Sequence, residues 1–112
     1  NPDSMVAALR VLEAIPCQGR RIAILGRMGE LGLHAEDGYR RVGAAGGCDI
    51  LLTVGPETTA LADAARTTIP QVLAVENNDE AAVRLRTLAQ PGDLVLVKGS
   101  RSAAMETILN TF

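Results

Sequence analysis

Four short apolar runs punctuate the chain, at residues 22–25, 50–54, 72–75 and 94–97. Each is continuous rather than alternating, the pattern of strands covered on both faces. Helical spacing fills the intervals. Met5, Ala8, Leu9 and Leu12 repeat every three to four positions before the first run. Asp3 or Ser4 is the predicted cap of that helix, and Pro16 follows its end. Residues 35–45 predict a second helix, weakened by Gly38 and Gly43. Residues 58–67 predict a third, with Leu61, Ala64 and Ala65 inward, and 79–89 a fourth, with Ala82, Leu85 and Ala89 on one face. Met105, Ile108, Leu109 and Phe112 form the stripe of a last helix. The glycines at 43, 46 and 47 mark a helix end turning into the second strand. Strands alternating with helices imply right-handed crossovers. The predicted fold is α/β: a Rossmann-like three-layer α/β/α sandwich with a mostly parallel sheet.

Composition supports that reading. At 112 residues the chain forms one domain, 1–112, around one core. It is 47% apolar but only 2% aromatic, so Val, Ile, Leu and Ala must build the interior. A net charge of −2 gives no basic field for nucleic acid. No apolar run approaches the roughly 20 residues that span a bilayer. Cys17 and Cys48 read as reduced thiols of a cytosolic protein. His34 is the sole histidine, so a Cys/His metal centre is not expected. The chain opens on a helix cap with neither an initiator methionine nor a leading strand, and is expected to be a piece of a longer, multidomain protein.

Each strand empties into a polar or glycine-bearing loop, at 26–32, 55–59, 76–79 and 98–101. In a parallel sheet these loops share one edge, where a common cleft is expected. The last, Lys98-Gly-Ser-Arg101, offers two cations and a hydroxyl, suited to a phosphate or carboxylate. Ser100 is a candidate cap for the helix after it, whose N–H groups would favour an anion. The first loop runs G-x-x-G-x-x-G, which is not the dinucleotide fingerprint, and no Walker loop exists. Its charged members, Arg27 and Glu30, either pair with each other or face a ligand. His34 reads as a surface loop residue, Tyr39 as a ring packed on the sheet, and Glu36 and Asp37 as compensation of a helix dipole. No Ser/His/Asp or Cys/His arrangement can be assembled, so no self-sufficient catalytic centre is expected.

Several segments together resemble the C-terminal domain of the Mur ligases. They are Asn1-Pro-Asp-Ser-Met5 with Ala7-Ala8-Leu9, then Arg21-Ile-Ala-Ile-Leu-Gly26, Met28, Glu30-Leu-Gly32, Ala35-Glu36 and Val42-Gly43. Leu52-Thr-Val-Gly55, Gly92-Asp93, Val97-Lys-Gly-Ser-Arg101 and Met105-Glu106 complete the set. The resemblance is closest to the branch that adds D-alanyl-D-alanine to UDP-N-acetylmuramoyl-tripeptide. That branch usually carries Asp where Arg27 stands and His where Tyr39 stands. The resemblance implies an ATP-dependent acid–D-amino-acid ligase of peptidoglycan precursor synthesis. It implies ATP and Mg2+, the metal held mainly by a separate central domain. It implies ATP-binding roles for Asn1 and Arg27, and substrate-binding roles for Lys98, Ser100, Arg101 and Glu30, with no metal ligand. Its implied partners are UDP-MurNAc-tripeptide, D-alanyl-D-alanine and the N-terminal and central domains of the same polypeptide. A monomer in the bacterial cytoplasm, with no nucleic acid and no membrane span, is expected, and this domain alone is expected to be inactive. The alternatives are the C-terminal domain of another Mur or folylpolyglutamate-type ligase, and a non-catalytic α/β binding module. The diaminopimelate-adding branch normally shows D-N-P-R, which is absent here.

Overall fold

The computed structural model describes residues 1–29 and 32–111, Thr111 by its backbone alone. The helices are α1 (Pro2–Ala14), α2 (Ala35–Ala45), α3 (Thr59–Ala65) and α4 (Asn78–Leu88). The strands are β1 (Arg21–Leu25), β2 (Ile50–Val54), β3 (Gln71–Val75) and β4 (Leu94–Lys98). All ladders are parallel, in the order β3-β2-β1-β4.

Two apolar layers sandwich the sheet. Met5, Leu9 and Leu12 of α1, Tyr39 and Val42 of α2, and Leu61 and Ala65 of α3 cover one face, over Ala23, Leu25 and Leu51. Ala82 and Leu85 of α4, with Met105 and Ile108, cover Ile22, Ile24, Ile50 and Leu52 on the other. The chain thus winds from β1 to β3 with helices on one face, then returns past β1 to β4 through a helix on the opposite face. Reversing direction while changing face preserves a single crossover hand. Burial on both faces holds for β1 and β2 but not for β3 and β4, which are the sheet edges and stay partly exposed.

Two further expectations are corrected. The cap of α1 is Asn1, not Asp3 or Ser4. Its Oδ1 accepts the Ser4 N–H at 2.8 Å, and Pro2 fills the first turn, where a missing N–H costs nothing. Asp3 instead pairs with Arg41 at 2.5 Å. The last helix is also not an α-helix. It is a pair of 3₁₀ segments, Arg101–Ala103 and Met105–Thr111, joined at Ala104 in the left-handed conformation (φ 48°). The stripe explains this. Three residues per turn eclipse Met105 and Ile108, both buried, and turn Leu109 outward, 48% exposed. Phe112 lies outside the described residues.

Gly43 looked like a defect in α2 and is instead what lets α3 approach. A Cβ there would sit 2.5 Å from the Leu61 carbonyl oxygen and 2.9 Å from the Ala65 nitrogen. Both are backbone atoms that cannot swing aside. Gly43→Ala is expected to destabilise the domain, because the overlap, about 1–3 kcal/mol, outweighs the gain of about 1 kcal/mol in helix propensity. Urea unfolding checks this through a lower midpoint.

At the opposite sheet edge from the loops, Asp93 ties the entries of β1 and β4 together. Its carboxylate accepts the Arg20 N–H (2.8 Å), the Gln90 N–H (2.9 Å) and the Arg20 guanidinium (3.2 Å). The backbone N–H of Arg20, then that of Gln90, hold its pKa below the ordinary 3.8. The stabilisation is therefore complete above the unfolded value and lost as pH falls through the lower folded one. Asp93→Asn is expected to lower Tm at neutral pH and to flatten the decline of Tm below pH 4. Thermal melts across pH 2–7 test both.

Candidate functional site

The winding reversal puts the C-terminal ends of β1 and β4 side by side, with their chains leaving to opposite faces. This is the topological switch point, where open α/β sheets bind ligands. The two exits are stitched together beyond the strands. The Gly26 N–H donates to the Lys98 carbonyl at 2.9 Å, and the Ser100 N–H to the Arg27 carbonyl at 2.8 Å. The Arg27 guanidinium donates to Ser102 Oγ, and the Ser100 and Ser102 hydroxyls lie 2.9 Å apart.

Met105 plugs this junction from the α4 side. It is 4% exposed. A Cβ on Gly26 would lie 2.5 Å from its Sδ, and one on Gly99 2.6 Å from its Cγ. The two glycines are therefore the space into which the thioether fits. From the other side, Tyr39 holds the first loop: its hydroxyl accepts the Met28 N–H at 3.0 Å. Burial pushes the Tyr39 hydroxyl above its ordinary pKa, so it remains a neutral phenol at physiological pH. Asn78 holds the second loop. Its amide donates to the carbonyls of Ala103 (2.8 Å) and Ala104 (3.2 Å) and to Thr107 Oγ1 (3.2 Å). Those bonds anchor the left-handed turn at Ala104.

Among the described residues the rim carries separate recesses rather than one shared cleft. Lys98, Ser100 and Arg101 come together in one of about 360 Å³, with Met105 and Glu106. Neither Lys98 nor Arg101 has an ion-pair partner among the described residues. Two cations against one carboxylate leave this recess suited to an anionic group. Its helix-dipole argument fails, because the 3₁₀ turn after Ser100 spans only three residues and Ser100 caps nothing with its side chain. Arg27 lines two other recesses, of about 730 and 260 Å³, and Glu57 lines both with it. Asn1 lines none of the three; it stands at the cap of α1, its amide oxygen committed to the helix. Glu30 lies outside the described residues.

Sequence reasoning passed over Glu57, Tyr39 as a loop anchor, and Asn78. The only signal for Glu57 and Asn78 was their place in the loops after β2 and β3. Among the described residues no three of His, Cys, Asp and Glu converge to hold a metal. Cys17 and Cys48 are free thiols, and burial pushes the Cys48 thiol up to about 11. No described helix is long and apolar enough to cross a membrane.

Known proteins are similar to this chain in sequence and in fold. The family model described as "Mur ligase, glutamate ligase domain" matches residues 1–101. UDP-N-acetylmuramoyl-tripeptide–D-alanyl-D-alanine ligase of Escherichia coli (strain K12) is 36% identical across 97% of this chain, and that of Treponema pallidum 36% across 96%. The chain spans about a quarter of the length of these curated relatives, 24% of each. A crystal structure of MurF from Acinetobacter baumannii superposes with a TM-score of 0.82 at 29% identity, over 99% of this chain and 25% of that one. MurF from Thermotoga maritima in complex with ADP gives 0.82 at 23% identity, over 100% and 25%, a likeness of fold. A family match over residues 1–101, whole-chain relatives above the level of chance and a shared parallel sheet agree: this chain belongs to the Mur ligase, glutamate ligase domain family.

Proposed function

We propose that this chain is the C-terminal domain of an ATP-dependent amide ligase that joins D-alanyl-D-alanine to UDP-N-acetylmuramoyl-tripeptide in peptidoglycan precursor synthesis. The observation that carries this is the recess holding Lys98, Ser100 and Arg101 at the switch point, its two cations without ion-pair partners among the described residues. The names of its relatives supply the reaction.

In that reaction the γ-phosphate of ATP passes to the tripeptide carboxylate, giving an acyl phosphate and ADP. The dipeptide amine attacks the acyl carbon, loses its proton, and the tetrahedral intermediate expels phosphate. Every species along this path is anionic near the reacting centre. Lys98, Ser100 and Arg101 would bind the dipeptide carboxylate or the moving phosphate, orienting the amine and neutralising charge. Glu30 is assigned to the same substrate. Asn1, with its amide NH2 still free to donate, is assigned to the adenine or ribose of ATP. Arg27 is assigned to the nucleotide as well, since its one side-chain bond among the described residues, to Ser102, leaves further donors on the guanidinium. Mg2+ would neutralise the phosphates, held mainly by the central domain that the resemblance implies. Closure of this domain over that one would exclude water, which otherwise hydrolyses an acyl phosphate. Such substrates support a reading in which the enzyme works in the bacterial cytoplasm.

The test is ADP release by the full-length gene product. It should require both the UDP-linked tripeptide and D-alanyl-D-alanine, and the 112-residue chain alone should release none. Turnover by this chain alone, or turnover indifferent to the dipeptide, overturns the proposal.

A further inference from the structure

Arg27 and Glu57 are opposite charges that do not meet. Among the described residues they are the two that line both the 730 Å³ and the 260 Å³ recesses, so they form the ridge between them. No ion pair joins them. The guanidinium turns instead to Ser102 Oγ. The carboxylate lies over Gly55, in the space that a Cβ there would fill. Gly55 has φ 97°, a conformation that only glycine adopts freely. The turn that carries Glu57 is fixed, since the N–H and the hydroxyl of Thr58 both donate to the Gly55 carbonyl, at 3.1 and 2.7 Å. The loop that carries Arg27 is fixed separately, by its bonds to Ser100 and Tyr39. The backbone beneath each charge is thus anchored independently of the other.

The turn after β4 divides the rim electrically. Ser100 and Arg101 line the recess of Lys98, Ser102 and Ala103 line the 260 Å³ recess, and Met105 lines both. The first recess sets Lys98 and Arg101 against Glu106. The second sets Glu57 and Glu76 against Arg27. A positive recess and a negative one therefore stand on either side of one buried side chain. A ligand that bridges them must carry an anionic end and a cationic end a short way apart. A two-residue peptide with free termini meets that demand: extended, it spans about 7 Å, and its amino terminus is mostly ammonium at neutral pH.

We propose that Glu57 receives the ammonium end of the dipeptide while the recess of Lys98 and Arg101 receives its carboxylate, so that Glu57 selects a dipeptide with a free amino terminus. This rests on the ligase reading above and adds a seat for the amine to it. Of the two carboxylates, Glu57 is the one that shares its ridge with Arg27, the residue assigned to the nucleotide. The amine is thereby held beside the phosphate that activates the carbon it attacks. The ammonium gives up one proton to solvent before its lone pair attacks. Glu57 acts by binding and placing the nitrogen, not as its base.

Calorimetric titration of the full-length protein tests this, with the UDP-linked tripeptide and a non-hydrolysable ATP analogue present. The titrants are D-alanyl-D-alanine and its N-acetyl derivative, which lacks the ammonium. The free dipeptide should bind at least about tenfold more tightly, the worth of one charge-assisted hydrogen bond. Glu57→Gln should bring the two affinities together by weakening the free dipeptide and leaving the acetylated one as it was. Glu57→Asp should restore part of the preference. Lys98→Ala should weaken both ligands alike. A preference that survives Glu57→Gln overturns the proposal, as does one erased by Glu76→Gln but not by Glu57→Gln. Equal weakening of both ligands by Glu57→Gln also overturns it, since that is the mark of a merely structural residue. In these cases dipeptide-dependent turnover by the unaltered protein leaves the ligase reading standing. Failure of both dipeptides to bind, with turnover indifferent to D-alanyl-D-alanine, removes that reading and the proposal with it.

Discussion

On the proposed function, Lys98→Ala in the full-length protein is expected to lower kcat/KM for D-alanyl-D-alanine at least about tenfold, since one preorganised donor at a developing charge is worth about 10²–10³ in rate. Lys98 closes β4, and its carbonyl, not its side chain, carries the bond to Gly26. The substitution therefore removes a charge from the recess without unpicking the sheet. Tm should change little, while Lys98→Arg, which keeps the charge, should recover part of the loss. Unchanged kinetics would make Lys98 an ordinary solvated cation, and the recess would then lose its claim on the substrate.

Met105→Ala is expected to cost about 2–5 kcal/mol, the usual range for emptying a buried methionine site. The cavity would open between Gly26 and Gly99, so the two stitched exits would lose their common filler. A double-mutant cycle makes the mechanism visible. Gly26→Ala alone should be strongly destabilising, since its Cβ would meet the Met105 sulfur at 2.5 Å. In the Met105→Ala background that collision is gone, so the two losses should add to much less than their sum. Simple additivity in urea unfolding would show that the thioether does not fill the two glycines.

The sheet was legible because its signal is local. Each apolar run is bounded by polar or glycine residues, and the four strands match their expected positions to within one residue. The switch point was partly legible, since Lys98, Ser100 and Arg101 are neighbours in sequence and needed no folding to be brought together. What the sequence could not disclose were the distant pairings. Gly43 is meaningful only against Leu61, Gly26 only against Met105, and Asn78 only against the carbonyls of Ala103 and Ala104. The final helix was misread because spacings of three and four coexist in its stripe, and only the docked sheet decides that Leu109 faces outward. Asn1 was passed over as a cap in favour of its neighbours, although Pro2 directly after it is the pattern of a first helical residue.

The first loop is fastened by its main chain: the Arg27 carbonyl receives Ser100, and the Met28 amide reaches Tyr39. The scaffold therefore leans on the side chain at position 27 only through its bond to Ser102 Oγ. A change of charge there can retune the electrostatics of the two neighbouring recesses that Arg27 lines, at the cost of that one bond.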